Sequence, residues 1–310
     1  MGHYVVTGGC GFIGSHLADA LLAEDHNVTI IDDLSSGKRE NVSPRAEIIV
    51  GDVADHALMQ ACLARADGCF HLAAVASVQR SVEDWLGTHR ANLTGTIAVL
   101  DAASHRPGRS PCPVVFASSA AVYGAGCDNA LAETARIAPL SAYGADKYGC
   151  ELHGAIASHL FATPVTALRF FNVYGPRQDS SSPYSGVMSI FAARIRAGRA
   201  ITIFGDGLQS RDFVYVADIV RFLRAAMSHR QPRFRVYNVC SGHAVTLLDV
   251  AQAMSRIVGY RPTIEHEPAR AGDIRHSLGV PDLAAHELGI ATEVGLENGL
   301  AALLANADVR

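Results

Sequence analysis

The first fourteen residues constrain the fold more than any other stretch. A β-branched run at 4–7 meets glycines at positions 8, 11 and 14, and a helical pattern begins at once over 13–23. A strand that turns through this triplet into a helix is a GxxGxxG variant of the dinucleotide fingerprint. Gly8 permits the tight turn, Gly11 lets backbone approach a pyrophosphate, and Gly14 lets helix and strand pack closely. The helix start beyond it, with Phe12 and Ile13, favours an anion.

The same rhythm continues. Short apolar runs at 28–32, 48–51, 68–71, 114–118, 165–171 and 236–239 alternate with helical patterns at 57–64, 86–103 and 143–158. Strand–helix alternation implies right-handed crossovers and a parallel sheet covered on both faces. The expected fold class is α/β, a Rossmann-type doubly wound parallel sheet with a smaller, discontinuous C-terminal region. The expected large domain is 1–172, with 212–258 packing back partly on it through helices at 215–227 and 247–258. The smaller region is then 173–211 and 259–310, including a polar loop at 179–186.

The second run ends at Asp32, eighteen residues beyond Gly14. A carboxylate there accepts from both adenosine ribose hydroxyls and repels a 2′-phosphate, which favours NAD over NADP. Asp33 is the rival for that role. Ser35, Ser36 and Gly37 follow as candidate cofactor contacts. Asp52, before Val53, either bonds the adenine amino group or caps a helix.

Tyr143 and Lys147 form YxxxK, which places both side chains on one helix face. Tyrosine is a poor base at neutral pH, and an ammonium and a nicotinamide cation both favour its phenolate. Ser118 and Ser119 put a hydroxyl pair at the carboxyl edge of a parallel strand, where ligands bind in such sheets. Ser, Tyr and Lys beside a nicotinamide make a coherent device for moving a proton and a hydride.

Composition narrows the partners. The net charge of -4 leaves no basic footprint for nucleic acid. Seven cysteines without a CxxC pair read as free thiols in a reducing compartment, and 14 histidines without metal-ligand spacing predict no metal site. With neither a leader pattern nor a membrane-length apolar run, the expected location is the cytoplasm.

TGGCGFIG, FHLAA, SSAAVYG, YxxxK, LRFFNVYGPRQ, GDGLQSRDFVYVADIV and RAGDI stand in the order seen in the nucleotide-sugar epimerase group of extended short-chain dehydrogenases/reductases, and the chain resembles that group over essentially its whole length. The resemblance implies Ser119 as catalytic hydroxyl, Tyr143 as base and Lys147 as the lysine that binds ribose and favours the phenolate. Phe70, His71, Leu72, Ala73, Ala74 and Phe170 would line the cofactor, with Asn92 supporting the site. Asn172, Arg211 and Arg270 would hold the phosphates of the sugar nucleotide, with Arg177 assisting, and Asp273 its ribose. Ser277 matches a gate position, where a small residue leaves room for a 2-N-acetyl group. Arg80 has no assigned role.

Related dehydratases carry an Asp-Glu pair, and decarboxylases a Glu, just after the catalytic Ser or Thr; this chain has Ala120 and Ala121. Methyl groups transfer no protons, so the expected reaction is C4 epimerisation of a UDP-hexose through a 4-keto sugar. The rivals are a dehydratase, reductase or C2-epimerase on another nucleotide sugar, and a cofactor sensor without turnover. In such families two helices per subunit build a dimeric four-helix bundle, which would place Cys150 and His153 near the interface of a homodimer.

Overall fold

In the computed structural model the described residues are 1–125, 129–179, 186–269 and 274–305. Cys127, most of the 179–186 loop, Arg270 and Asp273 lie outside them. The chain forms β1 (His3–Thr7), α1 (Phe12–Ala23), β2 (Asn27–Asp32), β3 (Glu47–Val50), α2 (His56–Leu63) and β4 (Gly68–His71). Next come α3 (Val78–Glu83), α4 (Trp85–His89), α5 (Gly95–Ser104), β5 (Val114–Ser119), α6 (Ala142–Phe161) and β6 (Val165–Phe170). Then follow β7 (Asn172–Tyr174), α7 (Val187–Arg196), β8 (Ile201–Phe204), β9 (Ser210–Tyr215), α8 (Val216–Ser228) and β10 (Phe234–Val239). The remainder is β11 (Ala244–Thr246), α9 (Leu247–Val258), β12 (Ile264–Glu267), β13 (His276–Ser277), α10 (Asp282–Leu288) and α11 (Leu296–Ala305).

These elements divide into two compact units. The first comprises Met1–Gly124, Arg136–Phe170 and Val220–Tyr237. Its seven-stranded sheet runs β10-β6-β5-β4-β1-β2-β3. From β1 the strand order grows one way through β2 and β3, then the other way through β4, β5 and β6, and these strands are parallel. The reversal beside β1 is the switch point at which ligands bind in doubly wound sheets, off the carboxyl ends of the strands. Thr7, Asp32, His71 and Ser119 all close strands at that edge. The sheet holds because both faces are covered. Val5, Ile31, Met59, Leu63, Val99, Phe116 and Val165 form a buried cluster on one face, Val6, Ile30, Phe70 and Val115 are buried on the other, and each such side chain contributes about 1.5–3 kcal/mol.

The pattern at 86–103 is not one helix. It breaks into α4, a π-helical turn at Arg90–Thr94 and α5. The wide turn coincides with fully buried Asn92, whose amide must find partners. It accepts from the backbone N–H of Val75 at 2.8 Å and donates to the Val75 carbonyl at 3.2 Å.

The second unit comprises Ala125–Ala135, Phe171–Ile219 and Asn238–Arg310. It holds a sheet ordered β11-β9-β13 with β7 also on β9, and a β12-β8 pair. Two departures from the expected boundaries have physical causes. Helix α9 belongs to the second unit: Val250, Ala251, Ala253 and Met254 join Phe191, Ile195 and Leu300 in that unit's own core. The segment 129–135 also belongs here, because the buried Asn238 amide donates to the Leu131 carbonyl and Glu133 accepts from the Asn238 N–H.

Candidate active site

The phosphate turn is shaped by steric necessity. Gly8 sits at φ +69, and a Cβ there would meet the Ala73 backbone nitrogen at 2.6 Å. At Gly14 a Cβ would meet the Gly8 carbonyl oxygen at 2.2 Å. Gly11 differs: a Cβ there meets only the Gly8 oxygen, at 3.2 Å, and otherwise open space. Gly11 is also the N-cap of α1 and offers no side-chain cap, so the first N–H groups of α1, those of Phe12, Ile13 and Gly14, receive no capping side chain. An open cradle lined by such donors fits a dinucleotide pyrophosphate.

Asp32 ends β2 buried, its carboxylate accepting from the N–H groups of Cys10 and Leu34, each at 2.9 Å. Burial pushes its pKa up, against the pull of those two hydrogen bonds. It ties β2 to the phosphate turn. Asp33 instead folds its own loop, accepting from the Ser35 N–H and hydroxyl. Ser36 and Gly37 follow, and a Cβ on Gly37 would press Cys10 and the Asp32 carboxylate. Asp52 caps no helix: Asp55 caps α2. Asp52, before the buried Val53, accepts from the Ala54 N–H and from Arg90, and both hold its pKa below the usual range.

Leu72, Ala73 and Ala74 leave β4 half-buried, with the Leu72 N–H donating to the Thr7 carbonyl. Beside them His71, expected only as part of the cofactor lining, makes contacts of its own. His71 is buried, with Nδ1 2.7 Å from the Thr7 hydroxyl and Nε2 3.0 Å from the Thr96 hydroxyl. The Thr96 hydroxyl donates to the Asn92 carbonyl, so it accepts from Nε2–H, and Nδ1 accepts from Thr7. Burial, aided by the Lys147 charge, lowers the His71 pKa to about 3. This neutral imidazole joins the phosphate turn, the end of β4 and the Asn92 turn. The signal was in the sequence as a polar residue ending a wholly apolar strand.

Ser119 ends β5 opposite Phe170 of β6 and opens a 3₁₀ turn at Ala120–Tyr123, its hydroxyl oxygen accepting from the Ala121 N–H at 3.1 Å. Helix α6 begins against that turn, since a Cβ on Gly144 would meet the Ala121 carbonyl oxygen at 2.6 Å. Ser141 caps α6. Tyr143 is half-buried on its first turn. Lys147 is buried, its Nζ donating to the Ala117 carbonyl at 2.8 Å and lying 5.9 Å from the Tyr143 ring centre. The first unit thus collects the glycine turn, Asp32, Asn92, Ser119, Tyr143 and Lys147. Cys150 points inward rather than to a surface: it is fully buried, with its thiol toward the Asn92 carbonyl and the Thr96 hydroxyl. His153 is half-buried.

In the second unit three candidates converge on β9. Asn172 stands in β7 in register with Phe213, and its amide donates to the Asp212 carbonyl at 3.3 Å. Ser277 of β13 is the register partner of Arg211. Asp212, wholly buried, braces this corner by accepting from the N–H groups of Ser241, Gly242 and Gly279. Arg177 and Arg80 are exposed.

A doubly wound parallel sheet that opens on this glycine turn and carries a YxxxK helix defines an extended short-chain dehydrogenase/reductase. The chain belongs, more narrowly, to the NAD dependent epimerase/dehydratase family, which it matches over residues 4–240. NAD is its cofactor, and it is an NAD-dependent nucleotide-sugar enzyme of the epimerase type. It is 37% identical to the UDP-glucose 4-epimerase of Mycolicibacterium smegmatis over 96% of each chain. It superposes on the UDP-glucose 4-epimerase of Thermotoga maritima with UDP-glucose at a TM-score of 0.92, with 34% identity and 97% of each chain covered. The UDP-N-acetylglucosamine 4-epimerase of Methanobrevibacter ruminantium, in complex with UDP-N-acetylmuramic acid, also gives a TM-score of 0.92, at 36% identity over 98% of this chain and 97% of that one. Relatives of other activity include a UDP-N-acetyl-alpha-D-glucosaminuronate decarboxylase from Bacillus cytotoxicus, at 33% identity over 85% of this chain and 83% of that protein, and a dTDP-glucose 4,6-dehydratase from Actinoplanes, at 32% over 97% and 96%. No helix among the described residues is long and apolar enough to cross a membrane.

Proposed function

We propose that this enzyme inverts C4 of a UDP-hexose, interconverting UDP-glucose with UDP-galactose and accepting the N-acetylated pair as well. The observation that carries this reading is the turn after Ser119. Its first two residues are Ala120 and Ala121, where elimination or decarboxylation calls for acids. The relatives named as 4-epimerases support it.

Ser119 hydrogen-bonds the sugar 4-hydroxyl and Tyr143 takes its proton. Lys147, anchored on the Ala117 carbonyl, holds positive charge beside the phenolate. When bound, NAD would supply the hydride chemistry at C4 that a reversible oxidation to a 4-keto sugar requires. The glycine turn, Asp32, Asn92 and the 72–74 segment bind and orient the cofactor. Arg211 and Asn172 hold the phosphates together with Arg270, Asp273 accepts from the ribose of the sugar nucleotide, and Ser277 leaves space for an acetamido group.

The enzyme acts as a cytoplasmic homodimer. Leu86, Ile97, Leu152, Ile156 and Leu160 on α4, α5 and α6 are exposed, Leu86 by 84%, and two copies of this apolar face make a four-helix bundle.

Purified protein without added cofactor is mixed with UDP-glucose or UDP-N-acetylglucosamine, and products are resolved by anion exchange and proton NMR. C4 epimers are the expected products. A protein that converts neither sugar even with added NAD sinks the reading.

A further inference from the structure

We propose that Glu151 is a positioning residue for the catalytic set, acting through Ser118 and Arg169; the inference rests on the role proposed above for Ser119, Tyr143 and Lys147. Glu151 lies one turn beyond Lys147 on α6, and its carboxylate is buried in the first unit. It accepts from the Ser118 hydroxyl at 2.5 Å. It also takes a two-point grip from Arg169 of β6, Nε to Oε1 at 2.8 Å and Nη2 to Oε2 at 2.7 Å. Arg169 Nη1 donates to the Tyr123 hydroxyl at 2.8 Å, and its guanidinium lies 4.9 Å from the Tyr123 ring centre. Ser118, Tyr123, Glu151 and Arg169 are each at most 4% exposed. Burial alone would lower the arginine's pKa, but the carboxylate grip and Tyr123 hold it above its ordinary value.

The placement of these groups gives the network its function. Two consecutive residues of β5 dock on α6, and the next carries the reacting hydroxyl. The Ala117 carbonyl takes Lys147, the Ser118 hydroxyl reaches Glu151, and Ser119 follows them. Tyr123 closes the turn that Ser119 opens. Ser118 and Arg169 are register partners, so the carboxylate spans β5 and β6 at one level. The carboxylate therefore fixes how far α6, with Tyr143 and Lys147, stands from Ser119 along β5. An ion pair withdrawn from water is a weak source of net stability, because desolvation offsets its attraction. Its directional bonds nonetheless fix geometry, and reacting groups misplaced by 1 Å lose about 100-fold in rate.

The test compares Glu151→Gln and Ser118→Ala with the wild type and with Tyr143→Phe. Each protein is assayed as the NAD-loaded enzyme, with loading measured by cofactor released on denaturation and turnover expressed per loaded chain. A residue that only supports the fold lowers the loaded fraction and leaves kcat per loaded chain unchanged. The expected result is a kcat per loaded chain lowered roughly 10- to 100-fold in Glu151→Gln and roughly tenfold in Ser118→Ala, with KM for the sugar nucleotide within about threefold. Wild-type kcat per loaded chain in Ser118→Ala, which loses one hydroxyl and keeps the Arg169–Glu151 pair, overturns the inference even if Glu151→Gln does not fold. A Tyr143→Phe protein with full turnover, or a wild type that inverts no C4, overturns the reading of the site and this inference with it.

Discussion

Gly11 and Gly14 lie three residues apart in one turn, and the structure assigns them different reasons for lacking a side chain. Alanine at 14 puts a methyl 2.2 Å from the Gly8 oxygen and 2.8 Å from the Gly9 Cα. Both are backbone atoms, so strand and helix must part by about 1 Å, and overpacking of this kind costs about 3 kcal/mol. Alanine recovers about 1 kcal/mol of helix propensity. The net loss is about 2 kcal/mol, which lowers Tm by about 3 °C in a chain of 310 residues. Alanine at 11 stands at φ -76 with one contact at 3.2 Å, so the fold absorbs it for under about 1 kcal/mol. Its methyl enters the open cradle and removes one or two charge-assisted hydrogen bonds to a pyrophosphate, roughly 10- to 100-fold in NAD affinity. The assay is thermal melting of cofactor-free protein paired with NAD titration by calorimetry. Gly14→Ala should melt early, and Gly11→Ala should melt normally but bind NAD poorly. A Gly14→Ala protein as stable as wild type, or a Gly11→Ala protein with undiminished NAD affinity, refutes the reasoning at that position.

Because His71 stays neutral when folded down to a pKa of about 3, the unfolded chain binds the proton first. Stability therefore falls as pH drops from about 6.5 toward 3, with a loss of about 2 kcal/mol between pH 7 and pH 5. Urea midpoints of wild type and His71→Gln at the two pH values isolate this contribution, and equal pH dependence would exclude it. Ser277→Tyr should depress turnover of UDP-N-acetylglucosamine while sparing UDP-glucose; an unchanged ratio of kcat/KM removes Ser277 as a gate. Leu86→Glu with Ile156→Glu should convert a dimer to monomers in sedimentation velocity, and a persisting dimer places the interface elsewhere.

The sheet was legible because its signals are local: β-branched runs, a glycine triplet and a helical YxxxK each lie within a few residues. The Ser119, Tyr143 and Lys147 arrangement followed from motifs of the same kind. What escaped depends on partners distant in sequence. The split at Asn92 follows from Val75, and the assignment of 129–135 to the second unit follows from Asn238. Helix α9 reads as amphipathic whichever core it joins. Glu151 and Arg169 each look out of place alone, a glutamate on an inner helix face and an arginine inside a strand. Only their pairing explains both. Ser277 and Arg211 came from separate motifs, and the structure added their register.

The interleaving of the two units has a consequence for synthesis. Strands β1 to β6 are complete once residue 170 has been made, but β10, the neighbour of β6, begins at Phe234. At ~5–20 residues per second, the roughly 60 intervening residues take about 3–12 s to translate. Through that interval the outer edge of β6 presents unpaired backbone groups on an otherwise finished sheet, an invitation to pair with a neighbouring nascent chain. Slowing the ribosome between codons 171 and 233 lengthens that exposure, and with it the interval in which a chaperone could shield the edge.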